Sequence, residues 1–207
     1  TSCESCHGAS SEWLAIHDNY GGKDVKREQE AADHKANRVA DSKAAGLIWP
    51  SMQYEVAENC MTCHGLAHPD LKADDLAKML GAGHPINPDF ELAKYSQGSV
   101  RHRHYPPDIK TNAEMTPQEL AQIYVIGQAA ALVSATEVVS KSSEAKYKEA
   151  QNKRVENAKA ALGGVSEAAG LLAAPTRENA IKFVQSISGK DLTGAVGGKL
   201  PAKSDYK

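Results

Sequence analysis

Apolar positions along the chain recur at helical spacing, and no stretch alternates with the period of two that marks a half-buried strand. Trp13, Leu14 and Ile16 outline a short apolar helix that stops at Gly21-Gly22. Residues 28–45 are Ala-rich and free of Pro and Gly, with Ala32, Ala36 and Val39 at helical spacing, which predicts a helix closed by Gly46. Ser51, after Trp49-Pro50, reads as the N-cap of a helix carrying Tyr54, Val56 and Ala57. A further helix is expected over 71–80, stopped by Gly81-Ala82-Gly83, and Phe90, Leu92, Ala93, Tyr95 and Val100 outline another.

The pattern changes after Tyr105-Pro106-Pro107. Thr116-Pro117-Gln118-Glu119 joins an N-cap, a first-turn Pro and a third-position Glu, a strong helix start. Leu120, Ile123, Tyr124, Gly127, Ala131 and Val138 share a face of the long helix that follows, and Gly127, Ala131 and Ala135 would let another helix approach closely. Over 141–162 the apolar set thins to Tyr147, Val155, Ala158 and Leu162 among many charges, so a largely solvated segment ending at Gly163-Gly164 is expected. A capped helix over 175–188 follows, and then a Gly- and Lys-rich segment, 189–207, with little to bury. The fold class expected is all-α, with few or no strands. It divides into residues 1–110 and a helical hairpin or bundle over 111–207 packed on them, as one domain or two.

Charge narrows the function. Lys and Arg total 24 against 26 Asp and Glu, a net charge of −2 over 207 residues, which excludes a globally basic nucleic-acid binder. No run approaches the ~18–20 consecutive apolar residues of a membrane span. No basic stretch followed by an apolar one opens the chain, so a soluble chain already relieved of its signal peptide is expected.

The cysteines carry the most specific signal. All four lie in two identical frames, Cys3-Glu4-Ser5-Cys6-His7 and Cys60-Met61-Thr62-Cys63-His64. Random placement of 4 Cys and 8 His in 207 residues would yield roughly 0.003 such frames. The frame suits covalent haem attachment: two thiols on one turn reach the two vinyl groups, and the next residue presents an imidazole to the iron. Competing chemistries fit less well. Zinc sites usually place their Cys pairs ~12–20 residues apart, whereas 53 residues separate Cys6 from Cys60. Disulfides give no reason for a His after each pair, and no βαβ pattern surrounds either motif as a thioredoxin-like site would require.

On these ten residues the chain resembles the bacterial dihaem c-type cytochromes. The resemblance implies two haem c groups, tethered at Cys3 and Cys6 and at Cys60 and Cys63, with His7 and His64 as proximal iron ligands. It also implies an extracytoplasmic, periplasmic location, where attachment occurs in that family. Only 5% of the residues are aromatic, and two porphyrins would add core that the side chains lack.

The far-side ligands are sought among the remaining histidines and methionines. His68 lies one helical turn after His64 and stays on the proximal side of its own haem, and His104 sits among Arg101, Arg103 and Tyr105 as a solvent-facing residue. Met52, Met61 and Met79 read as packing, and Met115, 51 residues after His64, is the methionine placed where some single-haem cytochromes carry an axial one. Four candidates follow, in the order His34, His102, His84 and His17. His34 has Arg38 one turn on, able to share a face with an imidazole and reach a propionate. His102 has Gly98 one turn earlier for close approach to a porphyrin, His84 sits in a small-residue loop, and His17 is only ten residues from His7.

The function expected is electron transfer through two bis-His haems at low potential, between a redox protein donor and an acceptor. The alternative is a small dihaem enzyme with one open iron, of peroxidase or nitrogen-oxide reductase type. Lys94, Arg101, Arg103 and Lys110 form either a basic docking patch or a solvated charged face. No nucleic acid or membrane span is expected, and a homodimer through the C-terminal helices is the candidate assembly.

Overall fold

A computed structural model describes residues 3–99, 101–103 and 110–207. Among the described residues eleven α-helices run in order: α1 (Glu4–His7), α2 (Leu14–His17), α3 (Ala32–Ala44), α4 (Gln53–His64), α5 (Ala73–Gly81), α6 (Leu92–Ser96), α7 (Pro117–Lys141), α8 (Ala145–Leu162), α9 (Ala169–Ala173), α10 (Arg177–Ile187) and α11 (Thr193–Val196). No strand occurs among the described residues, and the fold is all-α.

Helix α7 is the axis of the molecule because its start is fixed and its surface is small and apolar. Thr116 Oγ1 accepts from the Glu119 amide at 3.3 Å, and the Glu119 carboxylate accepts from the Thr116 amide at 2.8 Å, with Pro117 in the first turn. Helices α4, α5, α6, α8, α10 and α11 all pack against it, and α8 returns along it after a short link to make a hairpin. Gly127 admits α6: a Cβ there would lie 2.9 Å from the Cβ of Leu92. One core results. Tyr54, Ala57 and Met61 of α4 join Phe90 and Leu92, the buried face of α7, Ala158, Ala161 and Leu162 of α8, and Phe183 and Ile187 of α10. Each fully buried Leu, Ile or Phe in it contributes about 1.5–3 kcal/mol. Helix α7 is long and apolar enough to cross a membrane by length and composition, and 67% of its most apolar window is buried within the molecule.

Three expectations are corrected. Ser51 is an exposed turn residue; Met52 occupies the N-cap of α4, which has no side-chain cap. The segment after 189 is not bare, since Leu192 and Val196 enter the core at 6% and 1% exposure. There the side chain of Asp191 accepts from the Thr193 amide and hydroxyl at 2.9 and 2.7 Å and starts α11. Farther on, the Lys207 carbonyl accepts from the Ser99 amide at 2.8 Å, against Gly98, where any Cβ would collide with it. Gly98 therefore admits the chain's own backbone at the place where a porphyrin edge was expected. Helix α8 is the third. Its charged sequence conceals a buried face of Tyr147, Gln151, Arg154, Ala158, Ala161 and Leu162.

Candidate functional site

The two Cys-x-x-Cys-His frames are separated by 52 residues in sequence and lie side by side in the fold. The first forms α1 and the second ends α4, and these helices pack together. Asn59 Nδ2 donates to the Ser5 carbonyl at 3.0 Å, tying one frame to the other. At the junction the Cys6 and Cys60 thiols hydrogen-bond: that contact pulls Cys6 down to about 6 against the burial that opposes it. Cys60 is pushed up, first by the same hydrogen bond and then by burial. All four thiols are free, with Cys3 and Cys63 on the surface. Among the described residues no three His, Cys, Asp or Glu side chains converge as a group for a bare metal ion.

His7 is held by a residue 41 positions away. Its Nδ1 lies 2.6 Å from the Ile48 carbonyl, and its own carbonyl accepts from the Ile48 amide at 3.0 Å. With Nδ1–H donated to that carbonyl, the Nε2 lone pair is left for a metal. Gly8 then turns the chain at φ +81, where a Cβ would lie 2.9 Å from the Gly46 carbonyl, so glycine alone fits. Facing His7 is His102, with ring centroids 5.9 Å apart and planes at 84°.

His64 is the last residue of α4. Phe90 stacks on its ring at 4.1 Å and 15°, and Tyr95 lies 5.3 Å away. Burial lowers the pKa of His64, which favours the neutral, ligating form. Glu91 fixes the aromatic pair by accepting from the Ala93 and Lys94 amides at 2.8 and 3.0 Å, capping α6. Behind His64 the chain turns sharply through Gly65 and Leu66, and Leu66 has φ +47. Helix α8 holds that turn. Tyr147 Oη donates to the Leu66 carbonyl at 2.6 Å, Gln151 Nε2 to Gly65 O at 2.9 Å and Arg154 Nη1 to Gly65 O at 3.0 Å. A Cβ at Gly65 would meet Arg154 Nη2 at 2.5 Å.

No family model, curated protein or solved structure matches this chain. The residues themselves carry the chemistry.

The other sequence candidates lie elsewhere. His34 Nδ1 is 2.8 Å from Glu30 Oε1. Arg38, expected to reach a propionate, instead grips both oxygens of Glu30 at 2.7 Å and the His17 carbonyl at 2.6 Å. His17 sits edge-on to Trp13 with Nδ1 at 2.7 Å from Leu14 O. His84 is exposed, its Nδ1 2.8 Å from Pro85 O, and His68 Nδ1 accepts from the Asp70 amide at 3.2 Å. The Met115 amide donates to Gln97 Oε1 at 3.0 Å. His104 and Val100 fall outside the described residues. Of the basic cluster, Arg103 pairs with Glu119 at 2.6 Å and Arg101 with Glu114 at 3.5 Å. Sequence reading missed the Tyr147, Gln151, Arg154 stripe, although steps of four and three residues place these side chains on one helix face.

Proposed function

We propose that the chain is an electron carrier of the dihaem c type, with one haem held by Cys3, Cys6 and His7 and a second by Cys60, Cys63 and His64. The observation that carries this reading is the packing of the two frames against each other, α1 on α4, with Asn59 of α4 tied to the Ser5 carbonyl at 3.0 Å. Thioether links at adjoining thiols bring two redox groups close together, which serves electron exchange within the chain. The haems, when bound, supply reversible one-electron chemistry. The rest belongs to the protein: the thiols tether, the imidazoles orient, and Phe90 and Tyr95 pack against the His64 ring.

The residues fit the group. Each frame offers two thiols and an imidazole, and His102, whose ring centroid lies 5.9 Å from that of His7, would be the second imidazole for the group at the first frame. Phe90 stacks on the face of His64, whereas a metal binds in the ring plane at its edge, so the two do not compete. A far-side ligand for the second iron would have to come from His34, His84 or His17, which the fold holds at Glu30, Pro85 and Leu14. Donor and acceptor are redox proteins outside the cytoplasm, the compartment implied by the family that the frames resemble.

Optical and electron-paramagnetic spectra of the oxidised protein test the reading. Two low-spin irons that bind cyanide and carbon monoxide poorly are expected, and His102→Ala should turn one of them high-spin and open it to ligand. A high-spin, fast-reacting iron in the unaltered protein would favour the open-haem enzyme instead.

A further inference from the structure

We propose that Arg154 sets the direction of electron flow by holding the haem at Cys60, Cys63 and His64 at the higher potential. This rests on the dihaem reading. Arg154 is 3% exposed, and every partner of its guanidinium is neutral: the Gly65 carbonyl at 3.0 Å, Gln151 Oε1 at 2.6 Å, Ser134 Oγ at 3.0 Å and Met61 Sδ at 3.1 Å. Among the described residues no carboxylate pairs with it. Met61 lies inside the second frame and Gly65 directly follows His64, so the charge is built against the backbone that carries the iron ligand.

Hydrogen bonding alone does not require a cation here, because Gln151 Nε2 already donates to the Gly65 carbonyl at 2.9 Å. The other buried guanidinium, Arg38, is neutralised by both oxygens of Glu30. Arg101 and Arg103, which flank His102, have Glu114 and Glu119 as partners. The two guanidiniums that flank His102 are therefore paired, and Arg154 beside the second frame has no carboxylate partner among the described residues. A positive charge in a low-dielectric interior favours the iron state with one positive charge fewer. In the exchange one electron passes from the first haem to the second, so that the first iron is oxidised from ferrous to ferric and the second reduced from ferric to ferrous, with no bond made or broken.

Redox titration of the holoprotein, followed optically, tests the assignment in three variants. Arg154→Met removes the charge, Gln151→Glu sets a carboxylate against it with little change of shape, and Arg154→Lys keeps it. The first two should shift electron sharing about tenfold toward the first haem, a fall of about 59 mV for a one-electron couple. The shift should persist in a Cys3→Ala/Cys6→Ala background and be absent from a Cys60→Ala/Cys63→Ala one. Arg154→Lys should leave both potentials near their original values. If Arg154→Met does not fold, Gln151→Glu decides. Unmoved potentials, equal shifts at both haems, or a Lys variant that behaves like Met would overturn the role of Arg154 alone. Purified chain without covalent haem would overturn the dihaem reading itself.

Discussion

Glu91 shows how a single residue near the site couples to pH. Its carboxylate is buried, and burial raises its pKa although the Ala93 and Lys94 amides, which donate to it, pull the other way. The folded chain therefore keeps this proton to higher pH than the unfolded chain does. From about 4.5 upward, until the folded group has also ionised, the native state binds more protons, so the Glu91 contribution to stability falls as pH rises. Glu91→Gln keeps an acceptor for the cap and removes the titration. Denaturation of the two proteins at a series of pH values should show stability curves that separate over this window, with the variant gaining as pH rises. Parallel curves would contradict the account. Residue-level chemistry was unevenly legible. The four cysteines and two histidines of the frames stand out by spacing, whereas the Ile48 carbonyl under His7 and the Phe90 ring on His64 are contacts across 41 and 26 positions that only the fold creates.

At the level of elements, local rules predicted whatever was governed locally. The Thr116 box fixed the start of α7, and Thr176 accepts from the Asn179 amide at 3.2 Å to start α10 as expected. Thr116→Ala should cost about 1 kcal/mol and lower the melting temperature by about 2–4 °C. Calorimetry checks this, and an unchanged midpoint would mean that packing alone holds that end. Helix α8 was misread because composition was taken for exposure: its charges other than Arg154 lie on one face, and the opposite face is buried partly by polar groups whose hydrogen bonds go to backbone carbonyls of another element. Likewise Leu192 and Val196 lie one helical turn apart within a Gly-rich run, too sparse to register as a core face.

For the whole molecule, burial is unequal. Between residues 3 and 52 the buried apolar side chains are Trp13 and Leu47, whereas α4 and α7 onward share a core of more than twenty buried residues. The bundle has enough apolar contact to close by itself; the first fifty residues do not, and a porphyrin would supply their missing surface. Haem-free protein, made with all four Cys replaced by Ala, should keep slow amide exchange in α7, α8 and α10 and lose it in α2 and α3. Equal protection of α2 and α3 with and without haem would show that this region folds on side chains alone.

The most direct measurement is the intact mass of the purified chain after denaturation, with and without the paired substitutions. Two covalently retained haems are expected in the unaltered protein, one after Cys3→Ala/Cys6→Ala, and one after Cys60→Ala/Cys63→Ala. A chain that carries no porphyrin, or that binds zinc through the same thiols, would contradict the account at its root.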